Sequence, residues 1–360
     1  MKRLCLLAAF AVLCVSFVWA GQTPSEFKGH DALVNSVAFS HDGKTFATAS
    51  FDGTVKLWDF ATGKEIGILK GHTGPVNAVA FNNDGTVVAT GSLDKTIRLW
   101  NPKDGKLIKE LKGHTDTVLA LAFSHDGKFI VSGSGDKGVK VWDAKEGKDI
   151  KTIGTHKETV YSVAFNKDST QIASCGNDGV IKVYDAKGMT ELKSMLVDLP
   201  KPKIEDPNKD KDKDKDKDKD KDKDKDKKPK KDAGKKEEPK ELRDAFSVVA
   251  FTPDGKQILS VGQDKYFRYW NLDGKEAKKI GPTPDWIFGL AISNDGKHVA
   301  TAGYGGSLRV YEIDSGKEIY KDHQKGWITY CVAFTPDGKA VVTGHEKAGK
   351  GIAKVTKISQ

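Results

Sequence analysis

Four aromatic residues at a constant spacing constrain this chain more than any other feature. Trp58, Trp100, Trp142 and Tyr184 each lie 42 residues after the one before, end a short apolar segment and precede Asp or Asn. A second series runs through Phe39, Phe81, Phe123 and Phe165 and, after one interruption, through Phe251, Ile292 and Phe334. A repeat of this length is typical of a chain built from copies of one supersecondary unit. The two series predict seven copies.

Each copy contains short apolar segments that are separated by turn residues. In the second copy, Gly71-His72 precedes a segment that ends at Phe81, Asp84-Gly85 follows, and a later segment ends at Trp100. Asp and Gly readily adopt the backbone angles of tight turns, so consecutive segments are expected to pair as antiparallel hairpins. With a further segment before the next Gly-His, each copy is predicted to be a four-stranded antiparallel sheet.

Such a sheet has two apolar faces and needs neighbours on both sides, and a closed ring leaves no face uncovered. The expected fold is therefore all-β, a ring of seven four-stranded sheets. Residues 24–28 align with the fourth strand of later copies, whereas the last copy stops near Ile358, after its third strand. We therefore expect the N-terminal strand to complete the last sheet and close the ring.

The combination of Gly-His, a turn Asp and Trp-Asp at fixed offsets resembles the WD-repeat family of seven-bladed β-propellers. The resemblance implies that a His, a Ser or Thr, a turn Asp and a Trp form a hydrogen-bonded set in each blade, which would satisfy buried polar groups. Carried over by position, these structural sets are His30, Thr48, Asp52 and Trp58; His72, Thr90, Asp94 and Trp100; His114, Ser132, Asp136 and Trp142; and His156, Ser174, Asp178 and Tyr184.

The pattern is incomplete in the last three copies. Copy five keeps Ser260, Asp264 and Trp270 but has Leu242 at the His position. Copy six keeps Thr301 but has Thr283 and Gly305 at the His and Asp positions, and copy seven keeps little beyond Thr343. We expect blades 6 and 7 to be the least stable part of the ring.

The first 20 residues read as a signal peptide, because Lys2 and Arg3 precede an apolar run and small residues precede Gly21. The expected mature chain is a single propeller over residues 21–360, exported to the periplasm or secreted, with no membrane span after cleavage. An uncleaved anchor is the alternative. Cys175 and Cys331 lie in non-adjacent copies, so free thiols are expected instead of a disulfide.

An insertion at about 198–241 separates the fourth and fifth copies. It contains nine consecutive Lys-Asp pairs and five flanking prolines, with no apolar face to bury, so it is predicted to be disordered. A calcium loop is disfavoured because the turn Gly and terminal Glu of such loops are missing. The insertion is expected to be either an expendable loop or a weak contact with a cell-wall polymer or an acidic partner.

The net charge of +9 does not indicate a nucleic-acid partner. Lys2 and Arg3 contribute +2 and residues 201–243 contribute +4, which leaves +3 for the repeats and no dense basic face. Residues 133–138 match the glycine pattern of dinucleotide folds but lead into a strand instead of a helix. No catalytic, metal-binding or cofactor motif is found, and a repeated His-Asp-Ser pattern favours scaffolding over catalysis. We therefore expect no enzyme activity, no cofactor and no metal.

The predicted function is a protein-protein interaction scaffold that acts as a monomer on one or more partner proteins. The proposed contact is the ring face around blades 6 and 7, where aromatic residues concentrate. The partner-binding residues are predicted to be Trp286, Phe288, Tyr304 and Tyr330. These rings could instead fill space left by the missing His and Trp. A second candidate function is a ligand or cell-wall binding module that uses the Lys-Asp loop, and a third is a hydrolase or lyase with a site in the channel.

Overall fold

The computed structural model describes residues 24–196, 246–324 and 326–358, which form seven four-stranded antiparallel sheets arranged in a ring. The described residues contain strands and turns and no helix. The predicted fold, a seven-bladed β-propeller, is confirmed. The predicted signal peptide and the insertion at 198–241 lie outside the described residues.

The strands follow the repeat in chain order. Blade 1 contains β2 (Val34–Phe39), β3 (Thr45–Ser50), β4 (Thr54–Asp59) and β5 (Glu65–Lys70), and blade 2 contains β6 (Val76–Phe81), β7 (Val88–Ser92), β8 (Ile97–Trp100) and β9 (Leu107–Leu111). Blade 3 contains β10 (Val118–Phe123), β11 (Phe129–Ser134), β12 (Gly138–Asp143) and β13 (Asp149–Thr155), and blade 4 contains β14 (Val160–Phe165), β15 (Gln171–Gly176), β16 (Val180–Asp185) and β17 (Thr190–Leu196).

The remaining blades lie after the insertion. Blade 5 contains β18 (Phe246–Phe251), β19 (Gln257–Gly262), β20 (Phe267–Asn271) and β21 (Glu276–Ile280), and blade 6 contains β22 (Ile287–Ile292), β23 (His298–Gly303), β24 (Ser307–Glu312) and β25 (Glu318–His323). Blade 7 combines β26 (Ile328–Phe334), β27 (Ala340–Lys347) and β28 (Lys350–Lys357) with the N-terminal strand β1 (Glu26–His30).

The hairpin turn between the first two strands of a blade has the same chemistry in most copies. In blade 1, Asp42 Oδ1 accepts hydrogen bonds from Ser40 Oγ and from the Lys44 amide at 2.7 and 3.1 Å. Gly43 has a φ of 69°, which Gly adopts without the steric cost that a side chain incurs. The Asp-Gly pairs of the sequence therefore fix the hairpins, and the hairpins fix the strand register.

The hydrophobic core lies between adjacent blades. Leu57 and Leu69 of blade 1 pack with Val79, Val88 and Trp100 of blade 2, and similar clusters join the later blades. Leu57 and Val88 have no exposed surface, and burying one such side chain contributes about 1.5–3 kcal/mol. Because each blade buries one face against the next, the ring is stable only as a whole.

The N-terminal strand closes the ring, as the alignment of residues 24–28 predicts. β1 pairs antiparallel with β28, with Phe27 opposite Ala353. The Phe27 ring is buried and contacts Phe46, Trp58 and Phe60, with centroids 5.1 to 5.9 Å apart. This strand therefore belongs to blade 7 by its hydrogen bonds and packs against blade 1 by its side chain.

A row of lysines links the outer strands of successive blades. Lys109 Nζ of blade 2 donates to the carbonyls of Lys145 and Glu146 in blade 3, at 2.9 and 2.8 Å. Lys151 of blade 3 donates to the Met189 carbonyl of blade 4 at 3.1 Å. Lys278 of blade 5 bonds in the same way to the Asp314 carbonyl of blade 6, again at 3.1 Å. These bonds join neighbouring blades at the perimeter, away from the apolar core.

Candidate functional site

Each polar set joins the segment before the innermost strand of a blade to the second and third strands of that blade, and in the first set the histidine belongs to β1 of blade 7. In blade 1, His30 Nδ1 lies 2.7 Å from Asp52 Oδ2, and His30 Nε2 lies 2.8 Å from Thr48 Oγ1. The indole N–H of Trp58 donates to the same Thr48 oxygen at 2.9 Å. An ionised carboxylate can only accept, so His30 Nδ1–H donates to Asp52, and Thr48 Oγ1 accepts from the Trp58 indole.

Blades 2 and 3 repeat this arrangement with nearly the same distances. The His-carboxylate, His-hydroxyl and indole-hydroxyl distances are 2.7 to 2.8 Å. The residues are His72, Asp94, Thr90 and Trp100 in blade 2, and His114, Asp136, Ser132 and Trp142 in blade 3. The structure thus brings together all four members of each set.

In blade 4 a phenol replaces the indole. His156 Nδ1 lies 3.0 Å from both carboxylate oxygens of Asp178, and Nε2 lies 2.7 Å from Ser174 Oγ. The Tyr184 hydroxyl lies 3.2 Å from Ser174 Oγ. Burial is the main cause that raises the pKa of Tyr184 well above its usual value. The phenol therefore stays neutral and serves as a hydrogen-bonding core residue.

In blades 2 and 3 the electrostatics favour a neutral imidazole beside a charged carboxylate. Burial opposes ionisation of Asp94, but hydrogen bonds from Thr96 and His72 outweigh it and lower the pKa of Asp94 to about 2. Burial also lowers the pKa of His72 and of His114. Every polar atom of the set has a partner, so the arrangement ties strands together and presents no free nucleophile or base.

The incomplete blades satisfy their buried hydroxyls by other means. In blade 5 the Trp270 indole donates to Ser260 Oγ at 2.8 Å, while the Arg268 guanidinium pairs with Asp264 and with Glu276. In blade 7 His345 contacts the Thr343 hydroxyl and takes the place of the missing histidine. The roles of Arg268 and His345 were not predicted from the sequence. Arg268 lies at an offset where other copies have a Lys or Arg that pairs with an acidic residue of the fourth strand, and this repeated pairing was the available signal. His345 lies where blades 1 to 3 have a serine, so no repeat pattern marks it.

We call the ring face where the innermost strands begin, and where the second and third strands of each blade are joined, the upper face. The four predicted contact residues meet there and form the aromatic patch, Trp286, Phe288, Tyr304 and Tyr330. Ring centroids are 6.1 Å apart for Trp286 and Tyr304, and 5.9 Å apart for Tyr304 and Phe288. Phe288 and Tyr330 stack at 5.6 Å with planes 12° apart. The patch is thus one continuous chain of rings across blades 6 and 7.

Exposure divides the aromatic patch into two halves. Trp286 is 46% exposed and Tyr304 is 48% exposed, so these two rings face solvent and do not fill interior space. Phe288 and Tyr330 are half-buried and line the mouth of the central channel. The outer half is a surface, and the inner half connects it to the channel.

The central channel is a cavity of about 470 Å³ that the innermost strands of all seven blades line. Its polar side chains largely bond to neighbouring blades. Asn35 Nδ2 donates to the Asn77 carbonyl at 3.0 Å, and Asn77 Nδ2 donates to the Val118 carbonyl at 3.3 Å. Ser162 Oγ accepts from the Val249 amide at 3.2 Å. The channel wall therefore combines apolar surface with amide and hydroxyl groups that hold the ring together.

The remaining candidates for chemistry have structural roles or surface positions. Gly133 and Gly138, from the glycine pattern, flank the tight turn between β11 and β12. Both described cysteines, Cys175 and Cys331, are free thiols, and burial raises the pKa of each. Within the described ranges, no group of three or more His, Cys, Asp or Glu side chains has metal-binding geometry. The same part of the chain contains no helix that is long and apolar enough to cross a membrane.

Parts of this chain are similar in sequence to parts of several known proteins. It is 32% identical over 102 residues to Transducin beta-like protein 3 of Rattus norvegicus, which covers 24% of this chain and 13% of the relative. It is 58% identical over 38 residues to Ribosome assembly protein 4 of Saccharomyces cerevisiae, covering 11% and 7%. It is 27% identical over 101 residues to Meiotic recombination protein rec14 of Schizosaccharomyces pombe, covering 27% and 33%. The chain thus matches a third or less of the length of these relatives.

The family comparison covers most of the chain. The model of the WD domain, G-beta repeat, matches seven segments, at residues 21–59, 63–101, 105–143, 147–185, 243–271, 275–312 and 316–351. These segments correspond to the repeat copies that form the ring. The chain belongs to the WD domain, G-beta repeat family.

Proposed function

We propose that this protein is a non-enzymatic scaffold that binds a partner protein through the aromatic patch on the upper face. The observation that carries the proposal is the exposure of Trp286 and Tyr304, at 46% and 48%, in a continuous contact with Phe288 and Tyr330. Tyr and Trp are enriched among the residues that dominate binding energy at protein interfaces.

The scaffold supports this role because it holds the rings in place. The Tyr304 amide donates to the Trp286 carbonyl at 2.9 Å, so the two exposed rings rise from backbone segments that are bonded together. Trp286 directly precedes β22, whose first residue Ile287 is buried. Tyr304 directly follows β23, in which Ala302 is buried. A surface that needs little reordering on binding loses little conformational entropy.

A scaffold is favoured over an enzyme by the roles of the polar groups. The His, Asp and hydroxyl side chains of the polar sets are bonded to one another, and Asn35, Asn77 and Ser162 bond between blades. Catalysis requires at least one reactive group that is aimed at a substrate instead of at the scaffold. The names of two matched relatives refer to ribosome assembly and to meiotic recombination.

Partner capture with matched variants tests the proposal. The double variant Trp286→Ala, Tyr330→Ala should lose specific partners that the native protein captures from its source cells. Leu93→Ala is the control, because Leu93 occupies the same turn position in blade 2 as Tyr304 in blade 6 and is 49% exposed. Circular dichroism and thermal melts would verify that both variants fold. An unchanged set of captured proteins in the folded double variant would refute the proposal.

A further inference from the structure

Blade 6 contains a carboxylate that the fold leaves unsatisfied. Asp285 Oδ2 is shielded from solvent, and in the described chain it accepts no hydrogen bond. Asp285 also makes no ion pair with the Lys, Arg and His side chains that the structure describes. A buried acceptor without a donor is rare in folded proteins and calls for an explanation such as a missing ligand.

The surrounding sequence explains why the donors are missing. In blade 3 the equivalent residue is Asp116, whose Oδ1 accepts from the Thr117 amide and hydroxyl at 2.6 and 3.2 Å. Blade 6 has Trp286 after its Asp, so the hydroxyl donor is replaced by an exposed indole. Asp285 also lies against Gly305, where a Cβ atom would be 2.6 Å from Oδ2. The turn Asp of other blades is thus replaced by a glycine that makes room for this carboxylate.

The two exposed rings of the aromatic patch, Trp286 and Tyr304, have no cation–π contact within the described residues. The cation–π contacts found in the described residues involve Trp58, Trp142, Tyr266, Tyr269 and Trp327, and none involves Trp286 or Tyr304. Lys265 is the nearby cation from blade 5, and its Nζ donates to the Pro284 carbonyl at 3.1 Å. Among the described residues, a carboxylate thus directly precedes Trp286 and lies close to the two glycines that flank Tyr304, and no cation contacts either ring.

We propose that Asp285, Trp286 and Tyr304 bind a lysine or arginine side chain of the partner protein. Asp285 is half-buried, so its carboxylate charge attracts the cation at the surface although Oδ2 itself is shielded, while the negative faces of the rings attract the same cation. The inference rests on the proposed function, since it assigns a chemistry to the partner of the aromatic patch. A neutral apolar side chain would leave the charge of the Asp285 carboxylate unpaired, and an acidic side chain would be repelled by that charge.

Titration with small probes tests the chemistry. The probes are N-acetyl-arginine amide and N-acetyl-lysine amide, with N-acetyl-norleucine amide as the neutral probe of similar shape, followed by ligand-observed NMR. At least one cationic probe should bind with a millimolar Kd, and at least threefold more tightly than the norleucine probe. Asp285→Asn and Tyr304→Ala should each weaken that binding at least threefold. Equal binding of the norleucine probe, or unchanged binding to Asp285→Asn, would overturn the inference.

The control is Asp314→Asn, which removes an exposed carboxylate from the same blade, in the turn between β24 and β25 on the opposite face. It should leave probe binding unchanged, and an equal loss in this control would show that only net charge matters and would overturn the site. Partner capture separates this inference from the proposed function. If partners are lost with the Trp286, Tyr330 double variant but retained by Asp285→Asn, the interaction surface stands and the cation site is wrong. If the double variant retains them, the interaction surface itself is wrong.

Discussion

His345 Nε2 lies 2.6 Å from Thr343 Oγ1, so blade 7 satisfies the hydroxyl at this repeat position with a histidine from the same strand. In blades 1 to 3 the histidine lies 18 residues before the hydroxyl, as His30 does before Thr48. His345 Nδ1 bonds to Thr329 Oγ1 at 3.0 Å, and the Trp327 ring packs edge-on against the imidazole. The same polar requirement is thus met by a different part of the blade.

His345 should make stability depend on pH. Burial, helped by the nearby Lys354, lowers the pKa of His345 to about 4, against opposing effects of Asp322 and Glu26. Because the unfolded chain binds the proton first, stability should fall as pH falls from about 6.5 to 4. One unit of pKa shift corresponds to about 1.4 kcal/mol, so His345 should account for roughly 2–3 kcal/mol of that loss.

Urea unfolding at pH 7 and pH 4.5 would measure this effect. His345→Gln should be less stable than the native protein at pH 7 and should lose less stability on acidification. His41→Gln, a change at an exposed hairpin turn, serves as the control. Equal pH dependence in the native protein and in His345→Gln would contradict the assignment.

The carboxylate of Asp94 should stabilise blade 2 above pH 4. Since the folded pKa of about 2 lies below the unfolded value, its contribution is present above pH 4 and is lost as pH falls towards 2. Asp94→Asn should cost about 1–2 kcal/mol at pH 7, a range reduced for the part of the field that solvent screens. The measurement is the free energy of unfolding at pH 7 and pH 2.5, where the difference between variant and native protein should shrink.

Tyr184 should be coupled to Thr155. In blade 3 a Cβ on Gly113 would lie 3.1 Å from the Trp142 ring, so the indole requires a glycine there. Blade 4 has Thr155 at the corresponding position. Tyr184→Trp alone should destabilise the protein by about 1–3 kcal/mol through overpacking. Combining it with Thr155→Gly should recover part of that loss, and a double-mutant cycle with no coupling energy would refute this explanation.

The closing strand should be sensitive to one core substitution. Phe27 is 3% exposed and contacts three aromatic rings of blade 1. Phe27→Ala should therefore lower the free energy of unfolding by about 3–5 kcal/mol. Phe51→Ala is the matched control, because that ring is 42% exposed. Similar losses in both variants, measured by denaturant unfolding, would contradict a closing role for Phe27.

Export is a proposal that one measurement can decide. The Lys-Arg start, the apolar run and the small residues before Gly21 predict cleavage after residue 20. N-terminal sequencing of the protein from its source cells, together with fractionation, should give Gly21 as the first residue in the periplasm or medium. A retained Met1 in the cytosolic fraction would contradict the prediction.

The repeat spacing was sufficient to predict the blades but not the exceptions. Segments such as Val79-Ala80-Phe81 and the Asp-Gly turns recur in most copies and impose the same local structure, so strands such as β5 could be placed to the residue. The bond from His345 to Thr343 could not be predicted, because it depends on which side chain reaches a buried hydroxyl in three dimensions. In the lysine row, Lys109 and Lys151 are 42 residues apart, but exposed lysines carry no distinguishing pattern by themselves.

The aromatic patch could also be predicted only in part from the sequence. The concentration of rings in blades 6 and 7 could be predicted, because their offsets place them on the upper face. The sequence could not predict which rings face solvent and which line the channel, because this depends on side-chain packing such as the stacking of Phe288 on Tyr330. Asp285 belongs to no sequence motif. Whether its carboxylate has hydrogen-bond donors depends on its surroundings in three dimensions, which differ from those of Asp116.

The pairing of β1 with β28 has a consequence for biosynthesis. The closing contact joins residues as far apart as Phe27 and Ala353. The ring can therefore close only after β28, its last strand, has been synthesised. Contacts of such long sequence separation form late and slowly. Until β28 has been synthesised, β1 has no strand to pair with, and a nascent or truncated chain has an open blade at each end. Premature termination before residue 350 should therefore yield an open, aggregation-prone arc instead of a slightly smaller ring.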